Sequence, residues 1–193
     1  MELSEESKGI LMLAARDSIE SLFGEAHSSI IDYNYYPQLQ QTGAGVFVTL
    51  TIHNQLRGCI GYITSKWNLY ETVCDAAMQA ASNDPRFPPL SEQELPKINV
   101  EISVLSPLSE LEDYNMIKLG EHGLYLEEGD YRGLLLPQVA AENNFDIPGF
   151  LTALCEKAGL PQNEWEIRKL NIKTFTALVF SEVGNRTRTY ERY

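Results

Sequence analysis

The spacing of apolar residues changes several times along the chain. Between Glu5 and Phe23, residues Ile10, Leu11, Leu13, Ala14, Ile19 and Leu22 recur at helical intervals. Ser4 stands before this stretch as a cap, and Glu5 and Glu6 occupy the first turn, where the helix dipole favours acid. Gly24 ends it. Residues 25–45 read as loop, with Tyr33, Tyr35, Tyr36 and Pro37 available for packing. From Val46 the pattern turns β-prone: Val46–Ile52 and Leu56–Ile63 predict a hairpin around His53-Asn54-Gln55, where Asn tolerates the positive φ of a tight turn. Asn68 and Glu71 form a capping box for a helix from Leu69 to about Ser82. Ala76, Ala77, Ala80 and Ala81 line one side of that helix and suit close packing on a sheet, and Pro85, Pro88 and Pro89 forbid its continuation. Residues 98–105 alternate, with Val100, Ile102 and Val104 on one face and Glu101 and Ser103 on the other.

The second half mixes the same two spacings. A hairpin is predicted from Gly123 to Leu136, turning at Glu128-Gly129-Asp130, and a short helical piece follows Pro137 from Gln138. Another helix runs from about Pro148 to Ala158 and stops at Gly159-Leu160-Pro161. Thr174 to Ser181 forms a last β-rich run. Strands and helices follow no regular β-α-β rhythm. That predicts an α+β fold with a mainly antiparallel sheet flanked by helices, not a doubly wound one.

Composition narrows the classes. A chain of 193 residues is long enough for one domain with a sizeable core, in one lobe or two. No run approaches the roughly 18 consecutive apolar residues of a membrane span, and Met1-Glu2-Leu3-Ser4-Glu5-Glu6 is too acidic and polar for a leader peptide. Cys59, Cys74 and Cys155 are odd in number and widely spaced, as free thiols in a reducing cytoplasm are. No Cys-x-x-Cys and no i, i+4 histidine pair occurs, so the sequence makes no case for a metal. The net charge of −12 argues against nucleic acid, RNA included, because phosphates call for a basic surface. Acid is dense from Glu110 to Asp130, and Arg186, Arg188 and Arg192 gather at the end. A solvated surface with a loose tail is the preferred reading; the sharper one is an acidic face that docks a basic protein.

Chemistry concentrates in Leu56-Arg57-Gly58-Cys59-Ile60-Gly61. Glycines within a strand mark a bulge or a close approach of other backbone. Regular alternation would put Arg57 and Cys59 on one face, where a guanidinium favours thiolate and makes Cys59 a candidate nucleophile. A two-residue turn at His53-Asn54 would place Val48 opposite Cys59, on the apolar face. A three-residue turn would place Thr49 there, on the more polar face. A buried free cysteine packs as a small hydrophobe, and that structural reading is preferred. His122 is the acid–base candidate, against a histidine that merely bonds its own loop. Glu101 reads as a base, as an anchor for Arg57 or Arg86, or as a solvated strand residue. Asp84 and Arg86 flank Pro85; Arg86 would bind an anion bidentately or close a salt bridge across the loop. Gln138, at a strand-to-helix junction, would contact a ligand or satisfy the helix end.

The hexamer 56–61 resembles the signature of the AMMECR-type domain family. Four further blocks match in order: Asn83-Asp84-Pro85-Arg86-Phe87, Val100 to Pro107, Glu121-His122-Gly123-Leu124, and Arg132 to Ala140. The resemblance covers nearly the whole chain. It implies a single α+β domain with a larger lobe from approximately 1–109 and 166–193 and a smaller α/β lobe from approximately 110–165. Arg57, Cys59, Asp84, Arg86, Glu101, His122 and Gln138 coincide with these blocks and would line a polar cleft between the lobes. Prokaryotic members of the family look like companions of a Memo-family protein and a radical SAM enzyme, the AmmeMemoRadiSam system. The present chain lacks a radical SAM cysteine triplet, so such chemistry would belong to a partner. Two functions follow as expectations. The favoured one is a non-catalytic or accessory component that binds a ligand or partner. The other is an enzyme with Cys59 as nucleophile and His122 as acid–base.

Overall fold

Two antiparallel sheets, each backed by helices, organise the residues described by the computed structural model, 2–24 and 32–182. In chain order the elements are α1 (Glu5–Ser21), β1 (Gly45–Ile52), β2 (Gln55–Tyr62), α2 (Leu69–Ser82), β3 (Ile98–Leu105), β4 (Ser109–Glu110), β5 (Gly123–Glu128), β6 (Tyr131–Leu135), α3 (Pro137–Glu142), α4 (Ile147–Ala158), α5 (Glu164–Ile167), β7 (Ile172–Phe175) and β8 (Ala177–Ser181). Chain contacts divide them into two units. One runs to Leu105 and takes up the chain again from Leu178; the other is Ser106–Ala177. The sequence reading put these divisions near residues 110 and 165.

The first unit holds the sheet β2-β1-β3-β8. Strand alternation sets its core face: Val46, Val48 and Leu50 of β1 and Val100 and Ile102 of β3 are fully buried. Helix α2 packs on β1 and β2, and α1 on α2 and β3. Both helix starts are those read from the sequence. Ser4 Oγ accepts the Ser7 N–H at 3.1 Å, and Asn68 Oδ1 accepts the Glu71 N–H at 2.9 Å while Glu71 accepts back from Asn68. The segment read as loop before β1 contains 3₁₀ turns at Tyr33–Tyr35 and Pro37–Gln40. Another 3₁₀ stretch, Glu92–Lys97, precedes β3.

The hairpin register is the main departure. The turn is a two-residue one, with His53 at φ 52° and Asn54 at φ 63°, so Ile52 faces Gln55. Yet Thr49, not Val48, lies opposite Cys59. A bulge reconciles the two: Thr51 faces Leu56 and Leu50 faces Gly58, leaving Arg57 as the extra residue. A short turn therefore ends in the pairing expected of a longer one.

The second unit holds the sheet β4-β7-β5-β6. Its core joins Leu124 and Leu126 of β5 to Phe150, Leu151 and Leu154 of α4, all fully buried. Asp146 caps α4, and Gly159, at φ 80°, closes it in the left-handed region that glycine adopts without strain. The run read as one final strand is two. Thr176 separates β7, which pairs with β4 and β5, from β8, which joins the other sheet. No helix among the described residues is long and apolar enough to cross a membrane. The basic residues Arg186, Arg188 and Arg192 lie outside the described residues.

Candidate functional site

The two glycines of the 56–61 hexamer are places of close backbone approach. A Cβ on Gly58 would lie 2.2 Å from the Ala80 carbonyl oxygen, and one on Gly61 would lie 2.1 Å from the Val46 carbonyl oxygen. The missing side chain at Gly58 lets the last turn of α2 rest on the backbone of β2. The chain leaving α2 then passes along the free edge of β2.

That edge is closed by side chains. Asp84, 4% exposed, accepts the Cys59 N–H on Oδ2 at 2.8 Å. Arg86 Nη2 donates to the Cys59 carbonyl oxygen at 3.3 Å. Arg86 also holds the same carboxylate through Nε at 3.0 Å and Nη2 at 2.7 Å, and its backbone N–H donates to Asp84 Oδ1 at 3.0 Å. The Asp84–Arg86 pair thus occupies both polar groups that Cys59 turns outward, where a neighbouring strand would bond them. The Arg86 guanidinium and two backbone N–H groups hold the Asp84 carboxyl far below the ordinary range.

Arg57 is held one step along the same edge. Its Nε donates to Glu94 Oε1 at 2.7 Å, Nη1 to the Pro88 carbonyl at 3.0 Å, and Nη2 to the Pro89 carbonyl at 3.3 Å. The Arg57 guanidinium and the Ser91 donors depress Glu94 to about 2. The expected shared face of Arg57 and Cys59 is therefore broken by the bulge, and the guanidinium serves the 88–94 segment instead of the thiol.

The Cys59 side chain lies on the sheet face opposite the core. Thr49 Oγ1 donates to its Sγ at 3.4 Å. Glu101 faces Thr49 from β3, so thiol, hydroxyl and carboxylate stand in one row across three strands. Ser103 follows Glu101 on that face; it is 1% exposed, and its Oγ has no hydrogen-bond partner among the described residues. Cys59 and Cys74 are half-buried and Cys155 is buried; burial raises the thiol pKa of Cys74 and of Cys155.

His122 and Gln138 belong to the second unit. His122 closes a local loop: its N–H donates to the Lys118 carbonyl at 2.8 Å, and its Nδ1 accepts the Lys118 N–H at 3.3 Å. Burial lowers its pKa. Gln138 lies in α3, its Oε1 buried without a donor among the described residues. The structure thus gathers Arg57, Cys59, Asp84 and Arg86 along one strand edge and sets Glu101 two strands away on the same sheet. No cluster of metal-ligating side chains occurs among the described residues. An open groove of about 400 Å³ lies in the second unit beside Glu110, Glu112, Glu128 and Lys169. Glu94 was missed as a partner of the signature, whereas Thr49 takes the place opposite Cys59 that a longer turn would give it. Glu94 was legible as half of a second capping box, Ser91-x-x-Glu94.

The AMMECR1 family matches residues 12–180. The chain belongs to the AMMECR1 family. Its AMMECR1 relatives include a Methanococcus aeolicus protein, 40% identical over 191 residues that cover 95% of this chain and 94% of that one. A Methanothermobacter thermautotrophicus protein is 41% identical over 189 residues, covering 94% and 97%. The crystal structure of an uncharacterised protein from Pyrococcus horikoshii superposes with a TM-score of 0.86 at 37% identity, covering 96% of each chain. The signature of this AMMECR1 chain, with the loop after α2, builds a strand edge locked by two arginine–carboxylate pairs.

Proposed function

We propose that this protein is an accessory component that binds a ligand or a partner and does not itself catalyse, acting in the cytoplasm with a Memo-family protein and a radical SAM enzyme. The observation that carries this reading is the engagement of the signature's own charged groups. Arg57 is bonded to Glu94, Pro88 and Pro89, and Arg86 to Asp84 and Cys59. A charge held by that many internal partners fixes the shape of a surface; it does not move to meet developing charge. Co-purification of the tagged protein from its host tests the reading. Enrichment of a Memo-family or radical SAM protein is expected; recovery of neither overturns it.

A second reading is favoured by a separate observation, the Thr49 hydroxyl that donates to Cys59 Sγ on the face away from the core. That hydrogen bond holds the sulfur in place on a face outside the core. Here Cys59 is a nucleophile, with His122 as acid–base. Cys59→Ser and His122→Ala variants would then lose function in a genetic assay of the pathway. Full activity of both overturns this reading and leaves the accessory one standing.

A further inference from the structure

At the far end of β2 from the hairpin turn, the last residue of the strand meets α2. The Tyr62 hydroxyl donates to Asp75 Oδ2 in a short hydrogen bond. Trp67 stands edge-on to Tyr62, ring centroids 6.1 Å apart, and is 41% exposed. Lys66 Nζ lies over the Trp67 ring, 5.6 Å from its centroid.

Two features of this corner point to a cation. First, Asp75 is half-buried and has no cationic partner among the described residues. Four other half-buried or buried carboxylates have one: Asp84 has Arg86, Glu94 has Arg57, Glu128 has Arg168 and Glu182 has Arg16. Tyr62 holds Asp75 Oδ2 in place, and Oδ1 accepts no hydrogen bond among the described residues. Second, the exposed indole face already carries an ammonium, its own Lys66, and that lysine has no carboxylate partner among the described residues. An indole face binds cations through its quadrupole, and a guanidinium binds better than an ammonium because it is planar and less strongly hydrated. The chain's net charge of −12 draws basic partners toward any such site.

We propose that Trp67, Tyr62 and Asp75 form a docking point for an arginine side chain on a basic segment of a partner protein, and that Lys66 occupies the indole face until that segment arrives. The arginine stacks on Trp67 and donates to Asp75 Oδ1. Lys66 competes for the same face and sets a threshold on affinity. This inference goes beyond the accessory reading and does not need the partners named there.

The test uses the intact protein and short peptides. A ¹⁵N-labelled sample is titrated with an acetylated Gly-Arg-Gly-Arg-Gly amide, with the glutamate counterpart as control, and the Trp67 indole N–H signal is followed. Trp67→Ala assigns that signal against Trp165. The expected result is a saturable shift confined to Trp67, Tyr62 and residues around Asp75, for the arginine peptide alone. Lys66→Ala should bind about two- to fivefold more tightly, the worth of an exposed cation–π contact. Asp75→Asn keeps an acceptor for Tyr62 but loses the charge, and should bind several-fold more weakly; Trp67→Phe should do the same while leaving the fold intact. The proposal is overturned by shifts spread over the acidic surface, by equal binding in the Asp75→Asn and Trp67→Phe variants, or by weaker binding in Lys66→Ala. None of those outcomes bears on co-purification with the partners proposed above.

Discussion

Asp84 accepts the backbone N–H of Cys59 at 2.8 Å, so a loop carboxylate takes the place of a neighbouring strand at the edge of the first sheet. The carboxylate is buried and receives four hydrogen bonds in all, three of them from Arg86. Asp84→Ala removes all four and leaves the Cys59 N–H and the Arg86 guanidinium short of an acceptor. A loss of about 3 kcal/mol is expected, measured as a lower urea midpoint at unchanged slope. Wild-type stability in this variant would refute the strand-edge role.

Glu94 makes acid sensitivity specific to the same edge. Its pKa is depressed to about 2 from an ordinary 4.5 by the Arg57 guanidinium and the Ser91 donors. A depressed carboxyl contributes stability that is fully present above the unfolded value and is lost as pH falls through the folded one. The window is therefore from about 4.5 down to about 2. Glu94→Gln should be less stable than wild type at pH 7 by about 1 kcal/mol, and the gap should close as pH falls through that window. Urea unfolding at pH 7, 4 and 2.5 reads this directly; a gap that stays constant would show that Glu94 acts by shape alone.

Two glycines should answer alanine in opposite directions. At Gly58 a Cβ would sit 2.2 Å from the Ala80 carbonyl, with backbone on both sides of the clash. Gly58→Ala should cost about 2 kcal/mol or more, since α2 must lift off β2. Gly9, inside α1, has nothing within 4 Å of the same position. Gly9→Ala should gain about 0.5–1 kcal/mol by removing unfolded-state freedom. Thermal unfolding of the two variants, run side by side, checks both signs.

The three thiols should separate under alkylation of the folded protein. Cys155 is fully buried and Cys74 is half-buried with its thiol pKa raised by burial, whereas Cys59 lies on the non-core face beside Thr49. Cys59 should be modified first and Cys155 only on unfolding, read by peptide mass spectrometry over time. Silence of Cys59 until global unfolding would remove the nucleophile reading. Thr49→Val should change its rate without changing the order.

Local chemistry determined much of this protein before any folding was considered. Ser4, Asn68 with Glu71, and Gly159 fixed helix ends because capping needs only residues three or four apart. The alternation of Val100, Ile102 and Val104 with Glu101 and Ser103 named the two faces of β3, because side chains in a strand must alternate. Five ordered blocks announced the family. The tertiary structure decided the rest, where the outcome depended on residues distant in sequence. The bulge at Arg57 shifts the register by one; Gly58 beside it marks an irregularity but does not say whether it is a bulge or a close approach, and Arg57's bonds to Pro88, Pro89 and Glu94, at separations of 31 to 37 residues, accompany the shift. That shift alone turns Cys59 from the core face, opposite Val48, to the polar face, opposite Thr49. The break at Thr176 that sends β7 and β8 to different sheets is equally silent in a continuous β-prone run, because a strand's own sequence specifies its faces but not its neighbours.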